Sequence, residues 1–554
     1  MALADAALSG PAPRRAITLG LAAASVHLLL LQPNHPNAVA WSSLTAFPLE
    51  LPAILLALAA LGRGWAGGAL RAALVAVLAG LAVLKAADLA MFTAFARHFN
   101  PVADLALIEA GLRLLTGAIG LLPAGLAVLG AVGAAAAVAT LVWWATGVWA
   151  GLAAGRPALR AASAGAALLS AALAVTEAGR EAGRWAPGAD APGTAFALRF
   201  AGERVHMVRE TLAGLRAFEA AAAEDAFAEA PPALDLIDRD VIVVFVESYG
   251  RASLDVPLYA DLHRATLAAG EAELAARGVA TASGLLASPT RGGQSWLAHA
   301  SFANGLRVDG PARYAAVLAS GRRTLFHLAA EAGFHTAAVM PQITLDWPES
   351  AVMGFETILD ASDLGYAGRN FNWVTMPDQF TFAAMDRLLR ADRSDGRHLL
   401  VQLATGSSHA PWTPVPRLVD WDSIGDGRVF DAMAAAGDPP ETVWRDRDRV
   451  RAQYRLAVDY ALRVVLSYAA RHAEDPPLMI VTGDHQAAGF VALDERPDVP
   501  LHLIGPAHLV ERATGVWGLA PGLIPPDDAS VVPMDRMRDR ILRAFSATAR
   551  SPEG

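Results

Sequence analysis

The sequence predicts two architectures in one chain: an N-terminal five-helix transmembrane domain, then an α/β domain built on a mainly parallel sheet. Three observations carry this. The chain of 554 residues is 54% hydrophobic and only 18% charged, where an ordinary soluble domain carries ~25% charged residues. The apolar excess is concentrated in the first third. From about residue 237 short apolar runs alternate with helical segments, the pattern of strands covered by helices on both faces.

The excess rules out a disordered or fibrous chain and argues against a wholly soluble one. Five stretches reach the ~20 residues that a bilayer crossing needs: about 16–32, 44–62, 70–92, 119–147 and 158–177. The first is read as an anchor rather than a cleaved leader. No small-residue cleavage site follows it, and four more spans do. The loop ends with Arg14, Arg15, Arg63, Arg71, Arg156 and Arg160 face those with Arg97 and Arg113. The positive-inside rule then places the N-terminus in the cytoplasm and everything after about 178 outside it. Within the spans, Lys85 and Asp88 lie three apart on one helix face, an arrangement that suits either a structural ion pair or a functional one. Residues 102–115 form an amphipathic stretch, surface-lying or packed.

The expected divisions are a membrane domain over 1–180, a linker over 181–236 with helical periodicity at about 195–226, and an α/β domain over 237–554. In the last, strands are expected at Val241–Val246, Thr336–Met340, Leu399–Leu403, Leu478–Val481 and Leu501–Ile504. Helices are expected at Leu262–Arg277, Leu325–Glu331, Phe380–Leu389 and Val450–Arg471.

In an open sheet of this kind ligands sit beyond the carboxyl ends of the strands. Three expected strand ends deliver chemistry there. Val246 is followed by Glu247-Ser248-Tyr249-Gly250, the run ending at Ala404 by Thr405-Gly406-Ser407-Ser408-His409, and Val481 by Thr482-Gly483-Asp484-His485. Any one of these is an ordinary solvated loop; three at one edge are not. A fourth piece is 288–305, SPTRGGQSWLAHASFANG. Ser295 heads a helix there, either as a plain N-cap or as a hydroxyl in the positive field of a helix N-terminus, which suits phosphate. Two carboxylates and an imidazole suit a zinc or manganese ion, and a metal-bound hydroxyl loses its proton readily. Glu247, Ser295, Asp484 and His485 make a four-ligand set, and His409 is placed to hold or protonate a substrate oxygen.

The succession of strand–Glu-Ser, Gly-Gly-Gln-Ser heading a helix, Ser-Ser-His-Ala-Pro and strand–Thr-Gly-Asp-His resembles the alkaline phosphatase/sulfatase superfamily. Within it the chain is similar to the five-span membrane transferases typified by lipoteichoic acid synthase and the phosphoglycerol transferases of periplasmic glucans. That resemblance implies a sulfatase-like extracytoplasmic domain with one divalent ion, Mn2+ or Zn2+, on Glu247, Ser295, Asp484 and His485. It also implies Ser295 as nucleophile, His409 on the substrate phosphate, and Trp347, Trp373 and Arg291 near the substrate. Either tryptophan reads equally well as core.

There are departures from the family pattern. Those transferases present threonine as nucleophile; here serine stands in that place, and Thr290 is a rival hydroxyl. Met340-Pro341 replaces the usual His-Gly after the third strand. Ala287 occupies the first place of the sulfatase signature ahead of Pro289 and Arg291, and the chain has no cysteine, so formylglycine chemistry is unavailable. The expected function is transfer of a phospholipid head group (phosphoglycerol before phosphoethanolamine) through a phosphoryl-serine to an extracytoplasmic glycan or glycolipid, at a bacterial inner membrane. The alternatives are a phosphodiesterase or phosphatase with water as acceptor, and a non-catalytic sensor with a vestigial sulfatase fold. A net charge of −9 leaves no basic footprint for nucleic acid.

Overall fold

The computed structural model describes residues 12–40, 45–95, 97–153, 155–184, 192–228, 233–391 and 396–547. Position 44, where the second expected span begins, and parts of the expected linker (185–191 and 229–232) lie outside the described residues. The chain divides into two compact units, Met1–Gly214 and Leu215–Gly554.

The first unit is helical. Among the described residues, three helices are long and apolar enough to cross a membrane: Trp65–Thr93, Leu121–Ala150 and Pro157–Glu181. Two expected spans differ. The Ala12–Leu30 helix opens on Arg14 and Arg15, which leaves an apolar run shorter than a crossing. Between 45 and 62 only Glu50–Leu61 is helical, 12 residues, or about 18 Å at 1.5 Å per residue. Pro48 pairs its backbone with Thr194 just before it, so the chain is extended where the span was expected to begin. The amphipathic stretch forms the Leu105–Ile119 helix.

Lys85 and Asp88 do not pair with one another. The Lys85 ammonium donates to the Leu29 and Leu30 carbonyls at 3.3 and 2.8 Å and lies 4.6 Å from the Phe196 ring centre. Asp88 instead takes the Arg204 guanidinium at 3.0 Å, Asn34 Nδ2 at 3.0 Å and the Phe99 N–H at 2.9 Å. Buried charges persist when paired and hydrogen-bonded in this way. The expected linker periodicity is the Phe196–Ala223 helix.

The second unit holds a nine-stranded sheet in the order β4-β3-β5-β1-β6-β7-β2-β8, with β9 beside β2. The strands are β1 Val241–Val246, β2 Ala280–Ala287, β3 His335–Met340, β4 Thr357–Asp360, β5 Leu399–Ala404, β6 Leu478–Gly483, β7 Asp498–Gly505, β8 Ala520–Pro521 and β9 Val531–Pro533. β1 reads as one unbroken apolar run because it feeds two layers. Ile242, Val244 and Val246 face a core with Tyr454 and Val458 from the Arg447–Arg471 helix. Val241, Val243 and Phe245 face one with Phe302 and Leu542. Full burial of each such side chain contributes ~1.5–3 kcal/mol.

The sheet is mixed rather than mainly parallel. β4, β3, β5, β1 and β6 run parallel, but β7 is antiparallel to β6 and β2 antiparallel to β7. A parallel return needs a crossover of a dozen or more residues, usually a helix. Between β6 and β7 the chain spends residues 484–497 on a loop with one short helix, Gly489–Ala492, so β7 comes straight back. Two antiparallel steps then restore the direction of β6 in β2. The carboxyl ends of β1, β5, β6 and β2 therefore meet at one edge.

Candidate metal centre

Four loops converge at that edge and are tied by hydrogen bonds. The Glu247 N–H donates to Thr405 Oγ1 at 3.2 Å, and Ser408 Oγ donates to the Glu247 carbonyl at 2.6 Å. Ser288 Oγ donates to the Asp484 carbonyl at 2.6 Å, and the Gly292 N–H to the Gln486 carbonyl at 2.7 Å. The β6 exit needs glycine at 483: a Cβ there would lie 1.8 Å from the Tyr249 carbonyl oxygen. The loop after β1 can press against Asp484 only because that Cβ is missing.

Donor atoms of Glu247, Asp484 and His485 all lie within 4.8 Å of one another, and all three residues are buried. His485 Nε2 is 3.4 Å from Glu247 Oε1 and 3.7 Å from Asp484 Oδ2. Asp484 Oδ1 is oriented by the N–H groups of Ser248 and His485 at 2.8 and 2.6 Å, and Ser248 Oγ donates to Glu247 Oε1 at 2.8 Å. His485 Nδ1 lies 3.0 Å from the Gln486 carbonyl, which leaves Nε2 facing the carboxylates.

Ser295 joins this set. It is the first helical residue of Ser295–Asn304. Gln294 before it takes a left-handed conformation, φ 65°, and makes no side-chain cap. The Ser295 hydroxyl is thus free of the helix N–H groups: it donates to Glu247 Oε2 at 3.0 Å and lies 3.2 Å from His485 Nε2. Gln294 and Ser248, at φ 58°, are both non-glycine residues at positive φ, a strained state that clusters at functional sites. Thr290 is buried, and its Oγ1 has no hydrogen-bond partner. The hydroxyl that meets Glu247 and His485 is that of Ser295.

Burial and the neighbouring Glu247 charge push the Asp484 carboxyl well above the usual carboxylate range. Burial alone would raise Glu247 too, but the charges of His485 and His409 hold it at about 2. Two buried carboxylates this close repel one another when both are ionised. A divalent ion would offset that repulsion, and two carboxylates with an imidazole are donors of the kind zinc or manganese takes.

The remaining expected residues fall in three places. His409 is exposed at the β5 exit, its Nδ1 2.6 Å from the Ala410 carbonyl, and it lines a small pocket with Phe371, Val374, Ser407 and Trp412. Trp373 is 71% exposed, on the turn that Phe371 and Val374 close by exchanging backbone hydrogen bonds of 2.8 and 3.1 Å. Trp347 packs against the core beside Phe355, ring centres 6.2 Å apart. Arg291 is exposed and donates to the Glu495 carbonyl, so its contact is with a loop backbone.

Two residues near the centre were not singled out from sequence. His299 lies one helical turn beyond Ser295, with its ring 4.2 Å from Phe245 and a buried Nε2 without a partner. Burial lowers its imidazole to about 4. Spacing four residues from Ser295 was the available signal. Asp378 opens a helix after Pro377 and grips the His409 loop; only the Pro-Asp helix start hinted at it.

No protein-family model matches the chain, and no curated protein matches it. Solved structures do. One is the lipoteichoic acid synthase LtaP of Listeria monocytogenes, at 13% identity over 60% of this chain and 78% of that one, TM-score 0.37. Another is the Streptococcus pyogenes phosphoglycerol transferase GacH in complex with sn-glycerol-1-phosphate, at 13% identity over 61% and 92%, TM-score 0.35. A third is the C-terminal periplasmic domain of EptC from Escherichia coli, at 14% identity over 53% and 87%, TM-score 0.31.

Proposed function

We propose that the chain is a membrane-anchored, metal-dependent phosphotransferase that moves a phospholipid head group, phosphoglycerol in preference to phosphoethanolamine, to an extracytoplasmic glycan or glycolipid. The observation that carries this reading is the Ser295 hydroxyl held at once against Glu247 and His485. Glu247, Asp484, His485 and Ser295 would hold the ion. Bound there, Mn2+ or Zn2+ would supply positive charge that eases loss of the serine proton and offsets the charge of the phosphate. Ser295 Oγ passes its proton to solvent and attacks the head-group phosphorus. The bond from phosphorus to the diacylglycerol oxygen breaks, and that oxygen takes a proton. His409, exposed beside the site, holds the phosphate or supplies that proton. An acceptor hydroxyl then attacks phosphorus, the bond to Ser295 breaks, and the proton the acceptor loses returns to the serine oxygen. Membrane-length helices in the same chain favour a lipid donor. With the N-terminus in the cytoplasm, the sheet domain works outside an inner membrane.

The test is diacylglycerol release from phosphatidylglycerol by the purified full chain. Ser295→Ala is expected to lose at least about a thousandfold in rate, as loss of a nucleophile does. Intact-mass analysis of the wild type should find a glycerophosphoryl adduct on Ser295. Wild-type release by Ser295→Ala would overturn the reading, and Thr290→Ala is the control. Product analysis with and without a glucan separates transfer from hydrolysis.

A further inference from the structure

We propose that Asp378 is the residue that positions His409, by clamping the turn on which that histidine stands. The proposal rests on the reading above, in which His409 meets the substrate phosphate. Asp378 is 0% exposed and opens the Asp378–Met385 helix. Its Oδ1 accepts from the N–H groups of Gly406 and Ser407 at 2.7 and 2.8 Å. Its own N–H donates to Ser407 Oγ at 2.9 Å. One residue therefore makes three bonds to two consecutive positions of the loop. The Gly406 carbonyl accepts the His409 N–H at 3.0 Å, so the gripped peptide is the one that closes the turn carrying the imidazole.

The other side of the loop is fastened to the metal centre. Thr405 Oγ1 accepts from the Glu247 N–H, and Ser408 Oγ donates to the Glu247 carbonyl. The loop is held from both flanks, and His409 is the residue it leaves exposed. Asp378 Oδ2 is buried without a hydrogen-bond partner, and burial holds its carboxyl up at about 6. An acid kept at that cost, with its satisfied oxygen spent wholly on one loop, points to a requirement on the loop.

The experiment compares Asp378→Ala and Asp378→Asn in the full-length protein. Asn keeps the Oδ1 acceptor and Ala removes it. Hydrogen exchange of the Gly406 and Ser407 amides should quicken about tenfold or more in the Ala variant and change by less than about threefold in the Asn variant, with exchange of 478–487 and manganese content unchanged. The rate of diacylglycerol release should fall about tenfold or more in the Ala variant and recover in Asn, while the same change adds nothing in a His409→Ala background. Unchanged exchange in Asp378→Ala, or additive losses with His409→Ala, would overturn the proposal. Should Asp378→Ala not fold, Ser407→Ala cuts one bond of the clamp and must show a smaller loss that likewise vanishes without His409. If the wild type releases no diacylglycerol, the proposed function fails while the exchange arm still decides the role of Asp378.

Discussion

Asp484→Asn tests the metal centre at its most loaded point. Donor atoms of Glu247 and Asp484 lie within 4.8 Å. Two full charges at that separation repel by about 3.5 kcal/mol at an effective dielectric of ~20. A bound divalent ion reverses that penalty; a neutral amide removes it without an ion. Asn also keeps an oxygen for the Ser248 and His485 N–H groups that Asp484 Oδ1 now accepts. The metal-free variant should therefore be no less stable than the metal-free wild type, while its response to metal disappears. At a metal concentration of about a thousand times Kd, the wild type gains about 4 kcal/mol. For a unit of about 340 residues that is a Tm rise of about 6 °C. The assay is thermal unfolding followed by tryptophan fluorescence, after chelator treatment and again with added MnCl2 or ZnCl2. An Asp484→Asn protein that metal stabilises as much as the wild type refutes the ligand assignment. A metal-free variant several degrees below wild type says that the carboxylate is a structural acceptor instead.

Further outcomes follow from other contacts. Gly483→Ala should abolish metal binding and lower Tm, since its Cβ would sit 1.8 Å from the Tyr249 carbonyl oxygen; normal metal content would show that the loop has more room than this. Burial holds the His502 imidazole down at about 4, so the unfolded chain takes up that proton first. Stability is complete above about pH 6.5 and falls by about 3 kcal/mol as pH drops to 4; urea midpoints of His502→Asn should decline less steeply over that window. Phe302→Ala removes a fully buried ring that meets Phe245 at 5.3 Å and should cost about 3–5 kcal/mol, on the helix that carries Ser295. Trp373→Ala should leave stability within about 0.5 kcal/mol, as exposed positions do, whereas Trp347→Ala should lower it measurably, because that ring packs against the core.

Much of the centre was legible because strand ends are legible. Unbroken apolar runs mark strands covered on both faces, and the residue after such a run stands at the sheet edge whatever its neighbours are. Glu247, His409, Asp484 and His485 follow such strand ends. Ser295 does not, because the strand that delivers it, β2, is ATASGLLA. Its small residues lack the β-branched and aromatic signal, so the hydroxyl was placed by local pattern alone. Apolar composition alone does not register where Pro48 and Thr194 pair their backbones, or that the first apolar run follows two arginines within its own helix.

By itself the sequence determined the division into an apolar helical region and a sheet domain, the absence of any cysteine chemistry, and the residue types able to hold a divalent ion. Those follow from composition and period, which are local. The tertiary structure decided three things. The sheet is mixed, because the loop over 484–497 leaves no crossover helix. Ser295 is turned toward Glu247 and His485 and does not cap its own helix. Asp378, more than a hundred residues along the chain from Glu247, grips the loop between that carboxylate and His409. Each depends on which strands lie side by side, and only the folded sheet brings those residues together.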